Sequence, residues 1–328
     1  MRRRDFITLL GGAAAGWPLA ARGQQAAMPV VGFLSPVSRE YDAFRVTPFH
    51  QGLNESGYVD GQNIGIEYRW ADGQYERLPA LAAQLVRRQV SVIAAVGGTA
   101  SAFAARKMTA TIPIVFGIAG DPVVLGLVAS LSRPGGNLTG VASLGVELGP
   151  KQLELLHDLV PAATIVALLV NPTNASQAED QSREVQAAAR TLGLQLHVLH
   201  ASTERDFDTV FATLAELRVA GLVIGTDAFF SSRSVQLATL VVRHKVPAIF
   251  QFRDFVAAGG LMSYGTTVTD IYRQVGLYTG RILKGEKVAE LPVHQATKVE
   301  LSINLKTAKV LGLTVPISLL GRADEVIE

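Results

Sequence analysis

The segment from Ile112 to Pro122, which reads IPIVFGIAGDP, decides the fold of this chain. A short apolar run with β-branched residues, bounded by prolines and glycine, is typical of a strand that is buried on both faces. A helical pattern follows from Val123 to Leu131, so the strand is predicted to end at the carboxyl edge of a parallel sheet, where open α/β proteins bind ligands. Asp121 is therefore either the N-cap of that helix or a ligand contact.

The length and composition of the chain predict two globular domains. It has 328 residues, of which 48% are hydrophobic and 18% are charged, so it has ample material for two cores and no sign of disorder. The sequence contains no cysteine, which excludes disulfides, thiolate metal sites and a cysteine nucleophile.

The N-terminus has the pattern of an export signal. Arg2, Arg3 and Arg4 precede a short apolar run from Thr8 to Ala21, which resembles a twin-arginine signal with cleavage after Gly23; a retained anchor is the alternative. Removal of residues 1–23 takes away four arginines and one aspartate, so the formal charge of +2 becomes about −1. We therefore expect a soluble periplasmic protein that meets the membrane only through a partner and does not bind nucleic acid.

Strands and helices alternate along the rest of the chain, which predicts an α/β fold with two Rossmann-like, doubly wound lobes joined by a hinge. The first lobe is predicted to hold residues 29–143 and to regain 267–296, because the helix Thr267–Leu283 has no strand partner left in the second set. The second lobe is predicted to hold 144–266 and part of 297–328. Crossovers near Ser143 and Gly265 would form the hinge beside a cleft.

Small and polar residues follow the predicted strands that would face this cleft. Each loop leads into a helix N-terminus, where free N–H groups and the helix dipole favour a carboxylate. Asp121 or Asp227 would accept hydrogen bonds from an ammonium group, and aromatic residues would wall an apolar group. The predicted ligand-binding residues are Ser35, Gly98, Thr99, Ala100, Gly117, Ile118, Asp121, Asn171, Asp227, Phe230 and Tyr264.

Patterns that would indicate an enzyme or a cofactor site are missing from the sequence. The glycines at 97 and 98 do not match the dinucleotide fingerprint, and neither a phosphate-binding lysine loop nor a G-x-S-x-G elbow occurs. The six histidines are scattered, and His197 and His200 fall on opposite faces of a predicted strand. We expect no catalysis, no cofactor and no metal; an enzyme on this fold would need a clustered acid–base pair.

Many dispersed segments resemble the substrate-binding proteins of ABC transporters, a family that includes tryptophan- and other aromatic-amino-acid-binding components. The resemblance covers essentially the whole chain after the signal. The matching segments are Gln51–Tyr58, Gly61–Asn63, Glu67–Ala71, Arg77–Ala82, Thr111–Val115, Gly120–Pro122, Gly126–Leu131, Arg133–Asn137, Gly259–Gly265, Ile303–Lys309 and Arg322–Ile327.

This resemblance implies a type I periplasmic-binding-protein fold that captures a small molecule, amino-acid-like or a small carboxylate, with aromatic ones among the candidates. It also implies hinge closure, delivery to an ABC permease with its ATPase, and a monomeric receptor. The family's cleft loops fall on Ser35, Gly98-Thr99, Gly117 to Asp121, Asn171, Asp227 and Tyr264. The chain departs from its relatives at Gly97-Gly98 and at Val123 to Leu125, which leaves the ligand open. The alternative function is a ligand-sensing receptor for a signalling partner.

Overall fold

The computed structural model describes residues 28–143, 148–296 and 298–328. The predicted export signal at 1–23 lies outside the described residues, as does the crossover predicted over 144–147. The described strands are β1 (Val30–Ser35), β2 (Gly65–Trp70), β3 (Val92–Ala95), β4 (Ile114–Ala119), β5 (Leu138–Ser143), β6 (Ile165–Val170), β7 (Gln195–His200), β8 (Gly221–Ile224), β9 (Ala248–Phe250), β10 (Met262–Thr266), β11 (His294–Ala296), β12 (Val299–Asn304) and β13 (Glu325–Ile327).

The strands form two sheets, which confirms the predicted two-lobed α/β fold class. The first sheet has the order β11-β5-β4-β3-β1-β2, and all its pairs are parallel. The second has the order β13-β12-β10-β9-β8-β6-β7, with β10 and β12 antiparallel. Since β11 returns to the first sheet while β12 and β13 extend the second, the chain passes between the lobes after β5, β10 and β11.

Helices cover the faces of both sheets. Their bounds are α1 (Arg39–Glu55), α2 (Leu78–Arg87), α3 (Thr99–Met108), α4 (Leu148–Leu159), α5 (Ala175–Thr191), α6 (Asp206–Glu216), α7 (Ala228–Ser232), α8 (Ser234–Arg243), α9 (Arg253–Ala257), α10 (Val268–Leu283), α11 (Leu305–Val310) and α12 (Ile317–Leu320). Short 3₁₀ turns occupy Tyr75–Arg77 and Val288–Glu290. Among the described residues, no helix has the length and apolar character needed to cross a bilayer.

Strand β4 is buried on both faces, as its sequence predicted. Ile114, Phe116 and Ile118 belong to one core cluster of the first lobe, together with residues of α2 and α3. Val115 belongs to the cluster on the opposite face, which includes residues of α1 and α10. Alternate side chains of one strand therefore join two cores, because helices cover both sides of the sheet.

Helix α10 is held on the first lobe by very close packing against α1. A Cβ atom added to Gly52 would lie 1.9 Å from Arg273 O, and one added to Gly276 would lie 2.1 Å from Phe49 O. The two helix backbones can approach this closely only because both positions lack a side chain. This contact places the N-terminus of α10 beside the cleft.

The helix predicted from Val123 to Leu131 is wrong: the segment forms a series of turns. Leu127 and Val128 are buried, which accounts for its helix-like apolar spacing. Gly126 adopts φ 65°, a left-handed conformation that interrupts a helix. The three-residue strands β11 and β13 had no sequence signal of their own, because runs of this length carry no periodicity.

Candidate functional site

The cleft lies between the carboxyl ends of the two sheets. It encloses about 660 Å³ of atom-free space, which includes open solvent at its mouth. The first lobe contributes the loops after β1 and β3, the end of β4 and the first turns of α1 and α10. The second lobe contributes the loops after β8 and β9 and the first turn of α5. This is the sheet edge at which the sequence predicted a ligand site.

Five of the predicted site residues line the cleft together. Gly98 and Ala100 come from the N-terminus of α3, Gly117 and Ile118 from β4, and Asp227 from the loop after β8. The structure therefore brings the small residues of the first lobe opposite a carboxylate of the second. Between them lie apolar side chains that include Phe252, Val268 and Ile271.

Three other predicted residues stand just behind the lining. Ser35 ends β1 and is fully buried. The Thr99 hydroxyl lies 3.4 Å from Asn174 Oδ1 and contacts the second lobe. Asn171 is buried and donates from Nδ2 to Asp227 Oδ1 at 2.9 Å, so it orients the acid.

The structure places the remaining three predicted residues away from the cleft. Asp121 is exposed and its Oδ1 accepts hydrogen bonds from the N–H groups of Val123 and Val124, so it caps a turn. Phe230 is fully buried in the core of the second lobe. Tyr264 lies in the middle of β10, because the strand extends to Thr266, and it packs on another core cluster of that lobe.

Asp227 is a buried carboxylate surrounded by hydrogen-bond donors. Its Oδ1 accepts from Asn171 Nδ2, Tyr75 Oη and Phe229 N, each at 2.9 Å. Its Oδ2 accepts from Asn174 Nδ2 at 3.1 Å. Burial raises the pKa of Asp227 above its usual range, and these donors oppose the shift. Oδ2 has the spare acceptor capacity, so an ammonium group in the cleft would find its partner there.

The N-terminus of α3 is the corresponding anion-favouring element. Gly98 is its N-cap, with φ 130°, and no side chain caps the helix. The first N–H groups of a helix lack intrahelical partners and carry the positive end of its dipole. Because Gly98 and Ala100 line the cleft, these donors suit a ligand carboxylate.

Sequence reasoning missed a polar group on α1 and α10. Tyr41, Asp42 and Arg45 of α1 and Tyr272 of α10 line the cleft. Tyr272 Oη donates to Asp42 Oδ1 at 3.2 Å. Burial raises the pKa of Asp42, and the Arg45 charge opposes the shift. The available signal was the position of α1, whose first turns directly follow a predicted strand end at Ser35 and therefore face the cleft.

Polar contacts join the lobes across the cleft. Tyr75 meets Asp227 at 2.9 Å, Thr99 meets Asn174 at 3.4 Å, and Arg45 Nη2 meets Asp254 Oδ2 at 3.2 Å. Each contact pairs a residue of the first lobe with one of the second.

Two Rossmann-like lobes with a cleft between their sheet edges have the fold of a type I periplasmic binding protein. The chain belongs to a family described as ABC transporter substrate binding protein, whose model matches residues 31–327. This confirms the resemblance drawn from the sequence.

Relatives with known structures or functions agree with this family. A tyrosine-binding protein of Clostridioides difficile (strain R20291) is 28% identical over 266 residues, which make up 81% of this chain and 75% of the relative. An ABC domain from Streptococcus pneumoniae, solved in complex with L-Trp, superposes with a TM-score of 0.82 at 26% identity, over 91% of this chain and 99% of that one. A conserved domain protein from Vibrio cholerae superposes with a TM-score of 0.84 at 26% identity, over the same shares.

Proposed function

We propose that this chain is the extracytoplasmic receptor of an ABC importer and that it captures an amino acid with an aromatic side chain. The observation that carries the proposal is the pairing of Asp227 with the uncapped N-terminus of α3 across one cleft. A carboxylate acceptor and a set of helix N–H donors match the ammonium and carboxylate groups of an amino acid. The relatives that bind tyrosine and L-Trp support this ligand class.

The walls of the cleft favour an apolar or aromatic side chain. Ile118, Ile271, Val268 and Phe252 line the same cleft as Asp227 and the N-terminus of α3. Burial of an aromatic side chain against them contributes roughly 1.5–3 kcal/mol, and stacking with a ring adds about 0.5–1.5 kcal/mol. The glycine at 117 lets α10 pack closely on β4, since a Cβ there would lie 3.2 Å from Val275 and 3.3 Å from Ile271.

Closure of the lobes is the proposed signal to the transporter. The interlobe contacts of Tyr75, Thr99 and Arg45 exist only when the lobes meet. A ligand that contacts both lobes favours this arrangement by the difference of its affinities for the closed and open forms. The closed receptor would then deliver its ligand to a permease coupled to an ATPase. We further propose that it acts as a monomer in the periplasm and leaves the ligand chemically unchanged.

Calorimetric titration of residues 24–328 with L-tryptophan, L-tyrosine and L-phenylalanine tests the ligand class. At least one should bind, and at a hundred times its Kd it should raise the free energy of unfolding by about 2.7 kcal/mol. Asp227→Ala should abolish binding, because the ammonium group loses its acceptor. The matched control is Asp208→Ala, since Asp208 is exposed on α6 of the same lobe.

Absence of binding by every amino acid would contradict the proposal, and so would unchanged binding in Asp227→Ala. The transport role is tested separately by uptake of the bound amino acid into proteoliposomes that contain the permease and ATPase, with and without the receptor. Uptake that does not depend on the receptor would contradict the importer role and leave the ligand assignment intact.

A further inference from the structure

Arg45 is a buried guanidinium in the wall of the cleft. Its exposed fraction is 3%, and it lines the same space as Asp227. The guanidinium lies over two aromatic rings, with its central carbon 4.0 Å from the centroid of Tyr41 and 4.5 Å from that of Phe44. These cation–π contacts fix its position against the α1 backbone.

The hydrogen bonds of Arg45 leave part of its donor set unused. Within the described residues, Nη2 donates to Tyr41 Oη at 2.6 Å and to Asp254 Oδ2 at 3.2 Å. Nη1 lies 3.9 Å from Asp42 Oδ1, which is too long for a hydrogen bond. A guanidinium carries five N–H donors, so the donors on the Nη1 side remain available to a ligand. An acceptor on the bound ligand would satisfy the donors on the Nη1 side.

The charges around Arg45 determine which acceptor fits. Asp42 is fully buried beside it, and Asp254 approaches it from the second lobe. Two carboxylates already face one guanidinium, so a third anion would be repelled, whereas an uncharged oxygen would not. In the second sheet Asp254 follows β9 and Asp227 follows β8, which are adjacent strands. Asp254, and with it Arg45, therefore lies one strand nearer the hinge than Asp227, which would hold the ammonium group of the ligand.

We propose that Arg45 selects ligands whose side chain ends in an uncharged hydrogen-bond acceptor, such as a phenol hydroxyl. The proposal rests on the proposed function, because it takes the ligand to be an amino acid held at Asp227. Asp42 is a positioning residue here: it accepts from Tyr272 and balances the Arg45 charge.

Calorimetry with three probes tests the selection: L-tyrosine, L-phenylalanine and 4-carboxy-L-phenylalanine. The wild-type protein should bind tyrosine at least about tenfold more tightly than phenylalanine, since a hydrogen bond to a charged group separates them. The carboxylated probe should bind more weakly than tyrosine. In Arg45→Met the tyrosine-to-phenylalanine preference should vanish while phenylalanine binding persists, which also reports that the variant is folded.

Two further variants complete the test. Arg88→Met is the matched control, because Arg88 lies on the first lobe with a side chain that is 63% exposed; it should keep the wild-type preference. Arg45→Lys retains the charge opposite Asp42 and Asp254 but not the planar fork, so its preference should fall even if Arg45→Met does not fold.

Equal binding of tyrosine and phenylalanine by the wild type would overturn the inference, as would tight binding of the carboxylated probe. A preference that survives in Arg45→Met or Arg45→Lys would also overturn it. Each of these results leaves the proposed function standing. If no amino acid binds the wild type, the proposed function fails and the selection fails with it.

Discussion

The hydroxyl of Tyr75 donates a hydrogen bond to Asp227 Oδ1 over 2.9 Å, and this bond joins the two lobes directly at the ligand cleft. Tyr75 lies in the 3₁₀ turn after β2, whereas Asp227 follows β8. The contact is partly buried, and desolvation together with the Asp227 carboxylate raises the pKa of Tyr75 well above its usual value. The same acid is therefore placed to hold a ligand ammonium group and to hold the lobes together.

Tyr75→Phe should weaken ligand binding without unfolding the protein. It removes a hydrogen bond that forms only when the lobes meet, so the closed state loses stability relative to the open state. A hydrogen bond to a carboxylate contributes about 1.5–3 kcal/mol, which corresponds to a rise in Kd of about tenfold or more. Calorimetry and small-angle scattering would measure the affinity and the fraction of closed molecules.

Tyr58→Phe is the matched control for this prediction. Tyr58 packs against a core cluster of the first lobe and is not one of the residues that line the cleft. Its variant should bind like the wild type. A Tyr75→Phe protein that binds and closes as well as this control would show that the bond does not stabilise closure.

The free energy of unfolding should change with pH because of two buried acids, Asp42 and Asp227. Burial raises the pKa of Asp42 and Asp227 in the folded protein, so each binds its proton more tightly there than in the unfolded chain. The contribution of these two acids to the stability of the unliganded protein should then be largest below the ordinary carboxyl pKa and should be lost as pH rises through the raised folded pKa values.

Asp227→Asn should reduce the change in the free energy of unfolding with pH, because an asparagine side chain does not titrate. The part of the change that is due to Asp42 should remain. Urea unfolding from acidic to neutral pH measures the slope, and Asp208→Asn serves as the exposed control. If Asp227→Asn and the control lose stability equally as pH rises, ionisation of buried Asp227 does not lower the free energy of unfolding.

The sequence predicted the parts of the fold that depend on neighbouring residues along the chain. The apolar run of β4 and the glycines and acid at the strand ends predicted two parallel sheets and the edge at which Gly98, Gly117 and Asp227 meet. These signals are short-range: burial of a strand and the position of a turn depend on neighbouring residues.

The rest of the site depends on contacts between distant residues. Tyr75 and Asp227 are 152 positions apart, and Arg45 and Asp254 are 209 apart, so no local pattern links them. Tyr264 lies inside β10 and not at its end, because the strand continues for two more residues, and its half-buried side chain packs against a core cluster. Phe230 was misplaced because the short helix after Asp227 turns it inward.

Gly276→Ala should destabilise the first lobe strongly. The added Cβ would lie 2.1 Å from Phe49 O and 3.1 Å from Leu53 N, both backbone atoms of α1, so the two helices must separate. Overpacking of this kind costs about 1–3 kcal/mol. Urea unfolding would measure the loss. Gly65→Ala is the control, since its Cβ would meet only Met28 Cε at 3.5 Å; equal stability of the two variants would contradict the close packing of α1 and α10.

Gly98→Ala should separate ligand binding from stability. Gly98 has φ 130° with no atom within 4 Å of an added Cβ, so the substitution costs only backbone strain, of about 1–3 kcal/mol. Relief of that strain would turn the first N–H groups of α3 away from the ligand carboxylate. The charge-assisted hydrogen bond would then be lost, which would raise Kd by about tenfold or more.

Gly193→Ala is the control, because Gly193 also has a positive φ, of 70°, and no atom lies within 4 Å of an added Cβ. Gly193 follows α5 and lies away from the cleft. Both variants should lose stability in urea unfolding, because each forces a side chain into a left-handed conformation. Only Gly98→Ala should lose affinity in calorimetry. An equal loss of affinity in both would mean that binding follows global stability, and the N-terminus of α3 would then have no specific role in holding the ligand carboxylate.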